Sequence, residues 1–154
     1  MRTADRVVVR ASLDRVFAVA RDVERWPEIL AHYRRVRFIE RRPDGGGLVE
    51  MAAWRPFGPL RYPTWWMSEM TVNGAAREIR YRHVRGITRG MDVVWRLQPD
   101  GVGAVQVEIV HQWDGPQWPL VGRTAADLVI GPVFVRGIAS HTLAGIKRHV
   151  ERTP

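Results

Sequence analysis

The stretch that decides the fold is LVGRTAADLVIGPVFVRGIASHTLAGIKRHV, Leu120 to Val150. Val135, Ile138, Ala139, Thr142, Ile146 and Val150 recur at steps of three and four, which places them on one face of an α-helix. That face needs a broad apolar partner. Gly131-Pro132 interrupts the run, because proline removes a backbone donor and crowds the preceding turn, so a kink or break is expected there. Arg123, Asp127, Arg136 and Lys147 leave no apolar stretch long enough to span a bilayer, which needs about 18 uncharged residues.

The partner lies upstream. Thr3–Arg10, Tyr33–Arg42, Leu48–Trp54, Thr64–Val72, Arg77–Arg85, Arg89–Leu97 and Ala104–Trp113 show alternation or strand composition between turn signals. The turns are Pro43-Asp44-Gly45-Gly46-Gly47, Asn73-Gly74, Gly86 and Pro99-Asp100-Gly101. Arg55–Pro63, with three prolines, reads as a loop. Ser12 is an N-cap for a helix over Leu13–Ala20, and Val23–Leu30 reads as a second short helix with Trp26-Pro27 at its start or kink. The fold class is therefore α+β: a curved antiparallel sheet of about seven strands wrapped around a long C-terminal helix, with two short helices after the first strand.

The 154 residues suit a single domain, 1–154, without repeats or linkers. No secretory signal is expected from MRTADRVVVR, so the cytoplasm is the default location. The absence of cysteine excludes disulfides, thiolate metal sites and cysteine nucleophiles. A formal net charge of +8 raises the possibility of an anionic partner. Lys147 is, however, the only lysine, and the arginines are interleaved with acids. Arg34, Arg35, Arg37, Arg41 and Arg42 read as a solvated strand face, which makes nucleic acid an unlikely partner and a basic docking surface the weakest alternative. Ser68 and Ser140 lack the strand-turn-helix setting of a nucleophile elbow. His32, His141 and His149 lack metal-ligand spacing, so neither metal nor cofactor is expected.

Asp22-Val23-Glu24-Arg25-Trp26-Pro27-Glu28-Ile29-Leu30, followed by Tyr33 and the Val36-Arg37 strand, resembles the polyketide cyclase/dehydrase branch of the START-like (SRPBCC, Bet v 1-like) helix-grip superfamily. Trp118-Pro119-Leu120 and Asp127 to Phe134 resemble the start of that family's C-terminal helix. The resemblance implies a cavity between sheet and helix that holds a sterol, lipid, quinone, hormone or polyketide. In its aromatase/cyclase members the fold promotes aldol closure and dehydration. Trp26 and Tyr33 match cavity-lining positions of those enzymes. The family's W-x-S-x-R strand corresponds to Trp66-Met67-Ser68-Glu69-Met70, with methionine where an arginine would engage substrate oxygens. Arg55 or Arg82 is a conceivable substitute, though neither is assigned to the cavity.

Alternation puts Trp66, Ser68 and Met70 inward on one strand, Tyr81 and His83 on the next, then Trp95, then His111. The expected ligand-binding set is therefore Trp26, Tyr33, Trp66, Ser68, Met70, Tyr81, His83, Trp95 and His111. His83 and His111 are the candidate acid-base groups, set against an ordinary role as satisfied core histidines. The loss of the arginine favours a noncatalytic binder of a hydrophobic, partly oxygenated small molecule, with a polyketide aromatase/cyclase or dehydratase as the alternative. Oligomeric state is not legible.

Overall fold

The structure is a computed structural model, and it describes residues 1–57, 60–116 and 135–153. The chain runs β1 (Arg2–Val9), α1 (Leu13–Arg21), a 3-10 turn (Val23–Arg25), α2 (Trp26–Ile29), β2 (Tyr33–Arg41), β3 (Gly47–Phe57), β4 (Leu60–Asn73), β5 (Glu78–Gly86), β6 (Asp92–Pro99), β7 (Val105–Gln112) and α3 (Arg136–Arg152). The strands form one curved antiparallel sheet in the order β1-β7-β6-β5-β4-β3-β2. Six of them follow one another as a meander. The first strand closes the far side by pairing with the last, from Arg2 opposite Gln112 to Val9 opposite Val105.

Local chemistry explains the boundaries. Ser12 caps α1 through its hydroxyl, which accepts from the Arg15 N–H, and Asp14 sits in the first turn. Pro27 lies in the first turn of α2, where its missing N–H costs nothing. Asp44 organises the β2–β3 turn, its carboxylate accepting from the N–H groups of Gly46 and Val72, both at 2.9 Å. The α3 face predicted from spacing is the face that packs: Val135, Ala139, Thr142, Ile146 and Val150 are buried, together with Leu143. Helix α3 lies against β1, α1, α2 and β3. The expected break at Gly131-Pro132, and the family-like stretches at Trp118 and Asp127, lie outside the described residues.

The Arg55–Pro63 reading needs correction. Strand β3 continues to Phe57 and β4 begins at Leu60, with Trp54 opposite Pro63 and Arg55 opposite Tyr62. Prolines are tolerated because, among the described residues, no strand pairs with the outer sides of this end of the hairpin. Pairing of β2 with β3 stops at Ala53, and that of β5 with β4 stops at Trp66. A strand with one unpaired side has positions at which no N–H is required.

A second irregularity helps to position the cavity. Between β4 and β5 the register steps from Met67 opposite Arg85 to Ser68 opposite His83, which leaves Val84 as an extra residue. The bulge lets Trp66 and His83 both face inward, and Gly86, at φ +99°, opposes Trp66.

Candidate functional site

The concave side of the sheet and the inner face of α3 enclose a cavity of about 60 Å³. One wall is aromatic. The Trp26 ring meets Tyr33 edge-on at 5.2 Å and lies tilted against Trp95 at 5.4 Å, while Tyr33 meets Trp66 edge-on at 6.2 Å. The Trp26 indole N–H donates back to the Val19 carbonyl at 3.3 Å, so its apolar body is what the cavity sees. Met51, Met91, Val93 and Ile109 supply further apolar lining, and Ile138, Ala139 and Thr142 of α3 close the top.

Polar groups enter this apolar setting from four strands. His83 is stacked on Trp66, with the rings 10° from parallel, and its Nδ1 is 2.7 Å from the Thr88 hydroxyl. Burial pushes His83 from 6.5 down to about 3, helped by His111 and Arg55; burial, then Arg55, brings His111 to about 3. Both imidazoles are therefore neutral at pH 7. Burial lifts the Tyr33 phenol to about 12 against the opposing effects of a Thr142 hydrogen bond and Arg55. Burial and the neighbouring Tyr33 raise Tyr81 well above its ordinary value. Tyr81, Val93, His111 and Thr3 follow one another across the β5-β6-β7-β1 ladder. At strand spacings of about 4.8 Å, Tyr81 and His111 stand about 10 Å apart along the sheet.

The one charged side chain lining the cavity among the described residues is Arg55. It is only 5% exposed. Its Nε donates to the Thr64 hydroxyl at 3.2 Å, and its guanidinium sits 5.8 Å from the Trp66 ring centre. It comes from β3, where Val49, Met51, Ala53 and Arg55 alternate inward. Arg82 is elsewhere: it is ion-paired with Asp92 and more than half exposed.

Seven of the nine expected ligand-binding residues line the cavity: Trp26, Tyr33, Trp66, Tyr81, His83, Trp95 and His111. Ser68 and Met70 point to the same side but are sealed within the core and do not line it. Sequence reasoning named Arg55 only as a conceivable substitute and did not assign it to the cavity, because the proline-rich reading ended β3 at Trp54, three residues short of Phe57. Carrying the alternation of Val49, Met51 and Ala53 one step further is the signal that finds it. Glu50, between them, points outward to Arg35 and Arg37.

Among the described residues, the Tyr81 hydroxyl, the His111 Nδ1, the Ser68 hydroxyl and the Thr3 hydroxyl are buried without a hydrogen-bond partner. Each such group costs about 1–3 kcal/mol unless something meets it. The site thus has an apolar aromatic wall, one fixed positive charge and several neutral polar groups awaiting partners. No cluster of three or more potential metal ligands exists among the described residues.

A family model described as polyketide cyclase / dehydrase and lipid transport matches residues 9–129. A putative polyketide cyclase of Streptomyces halstedii is 30% identical over 104 residues, 65% of this chain and 92% of that protein. One from Streptomyces cyaneus is 27% identical over 113 residues, 64% of this chain and 65% of its own length. Among solved structures, the Zhui aromatase/cyclase from Streptomyces sp. R1128 superposes with a TM-score of 0.80 at 20% identity, over 99% of this chain and 94% of that one. A START superfamily protein from Mycobacterium smegmatis gives 0.76 at 14% identity, over 99% of both chains. At those identities the likeness shows the fold, which is the helix-grip arrangement expected from the sequence. With most of its length matched by the family model, the chain belongs to the polyketide cyclase / dehydrase and lipid transport family.

Proposed function

We propose that the chain takes a ketone-bearing polyketide into the cavity and promotes its aldol closure and dehydration. The observation that carries this reading is Arg55. The charge missing at Met70 on β4 is supplied from β3, in a buried position beside Trp66. A guanidinium held in a low-dielectric pocket stabilises oxyanions far better than one in water.

The steps assign a role to each group. A neutral imidazole removes a proton from a methylene between two carbonyls, and the enolate oxygen is held by Arg55. His111 suits this task because its Nδ1 has no partner among the described residues, whereas that of His83 is held by Thr88. The enolate carbon attacks a ketone carbonyl further along the chain, forming the new C–C bond, and the alkoxide takes the proton back from the imidazolium. Loss of water from the β-hydroxy ketone then gives the ring its double bond. The Tyr81 hydroxyl is a donor for the accepting carbonyl oxygen. At about 60 Å³ the cavity is smaller than the ~150 Å³ that admits a benzene. Entry of a longer chain therefore requires the flexible side chains of Met51, Met91 and Arg55 to swing aside.

A second reading, binding without turnover, is favoured by the same histidines. A base of pKa about 3 abstracts a carbon-bound proton poorly. One experiment separates the two. The chain is mixed with a short poly-β-ketone thioester while tryptophan quenching reports binding and mass spectrometry reports loss of water with ring formation. Saturable quenching with ring product above the spontaneous rate supports the enzyme; saturable quenching alone supports the binder. Neither signal would overturn both readings.

A further inference from the structure

Outside the cavity, on an adjacent flank of α3, lies a second hollow of about 330 Å³. Helix α3 presents Gly137, His141, Gly145 and Arg148 along one stripe, at steps of four, four and three. The two glycines make the room. A Cβ added at Gly137 would meet nothing within 4 Å, and one at Gly145 would collide with the Leu30 side chain. Facing the stripe are His32, which precedes β2, Trp54 of β3 and Arg61 of β4.

Among the described residues, every charged or titratable side chain lining this hollow is basic: His32, Arg61, His141 and Arg148. This is unusual for the molecule. The arginines of the outer sheet are largely neutralised, Arg35 and Arg37 by Glu50, Arg41 by Glu24, Arg96 by Glu78 and Glu108. Arg61 and Arg148 have no acidic partner among the described residues, and a third guanidinium, that of Arg34, lies over the Trp54 ring at 4.8 Å. The Nδ1 of His141 donates to the Gly137 carbonyl at 2.6 Å, so it is as the imidazolium that its Nε2–H meets an anion, and the His32 and His141 ring centres are 5.9 Å apart.

We propose that this hollow binds the phosphate group of a small soluble molecule, with Arg61 and Arg148 as its fixed charges and His141 as a third contact. Two guanidinium charges match a dianion, whereas a carboxylate would leave one unmatched. The concave shape suits a single group reaching in. The site is also wired to the cavity: the Thr142 hydroxyl lies 2.9 Å from His32 Nε2, and it hydrogen-bonds Tyr33, which lines the cavity. Ile138 lines both hollows.

The test follows the histidine ring signals by NMR during titration with sodium phosphate, at fixed pH and with sodium chloride holding the ionic strength constant. The expected result is saturable movement of the His32 and His141 signals, with those of His149 still, the same response to methyl phosphate, and none to sodium acetate. Arg148→Gln weakens the response at least tenfold. Gly137→Met, which fills the hollow without removing a charge and suits a helix, abolishes it. Linear, non-saturating shifts, equal shifts in chloride, acetate binding as tightly as phosphate, or full affinity in Arg148→Gln would each overturn the proposal. So would sedimentation with phosphatidic-acid vesicles when soluble phosphate leaves the signals unmoved. No cavity ligand is involved, so failure here is distinct from failure of the polyketide reading.

Discussion

Acidification is the perturbation that tests the cavity's electrostatics without any ligand. His83 and His111 are buried with values of about 3, against 6.5 for an ordinary imidazole. Between those values the unfolded chain holds a proton that the folded chain does not, so stability rises with pH and is lost as pH falls below 6.5. Each histidine contributes a slope of up to about 1.4 kcal/mol per pH unit in that window. From pH 7 to pH 5 the loss is about 2 kcal/mol per histidine, or about 4 kcal/mol for the pair. That is a large part of the 5–15 kcal/mol that holds a typical domain together. Urea unfolding at pH 7, 6 and 5 measures it, on wild type and on His83→Asn and His111→Gln. Each variant should lose about 2 kcal/mol less than wild type over the interval. If the double variant shows the same pH slope as wild type, the histidines are not buried neutral bases and the description of the cavity is wrong.

Other consequences are local. Asp44→Ala removes the carboxylate that holds the N–H groups of Gly46 and Val72, and should cost about 1 kcal/mol after discounting for its exposure. Those hydrogen bonds hold its carboxyl below the ordinary carboxylate range, so the difference from wild type should be full at pH 7 and fade as pH falls through the folded-state value; thermal melts at pH 7 and pH 3 check this. Gly86→Ala places a Cβ 2.6 Å from the Trp65 carbonyl oxygen at a φ of +99°, and should cost about 1–3 kcal/mol and disturb the Trp66 packing, read by near-ultraviolet circular dichroism. Thr142→Val keeps the shape but strips Tyr33 and His32 of a shared partner; it should cost about 1–3 kcal/mol in urea unfolding and push the Tyr33 phenol further up in a spectrophotometric titration.

What the sequence revealed and what it hid have a physical pattern. Period-two alternation identified the inward residues of β5, β6 and β7, because one face of each strand is buried and the other wet. The spacing from Val135 to Val150 identified the helix face for the same reason. The pairing of β1 with β7 was not legible, since its partners are separated by about a hundred residues and no local signal records that distance. Arg55 stayed unassigned because Pro56 and Pro63 read as a loop; whether a strand tolerates proline depends on whether a neighbour needs an N–H at that position, a tertiary fact. The second hollow was equally hidden. Only the assembled fold shows that Gly137 and Gly145 open a surface flanked by arginines and histidines.

The most direct test of the account is Arg55→Met, which keeps an unbranched apolar stem in place of the arginine's while removing the charged end. With a poly-β-ketone thioester, the variant should fold, bind the substrate, and form ring product at least a hundredfold more slowly than wild type, as expected when an oxyanion partner is lost. The ring values of His83 and His111 should rise in the same protein, because Arg55 helps to hold them down. Wild-type turnover by a folded Arg55→Met protein would contradict the claim that this buried guanidinium is the catalytic charge of the cavity.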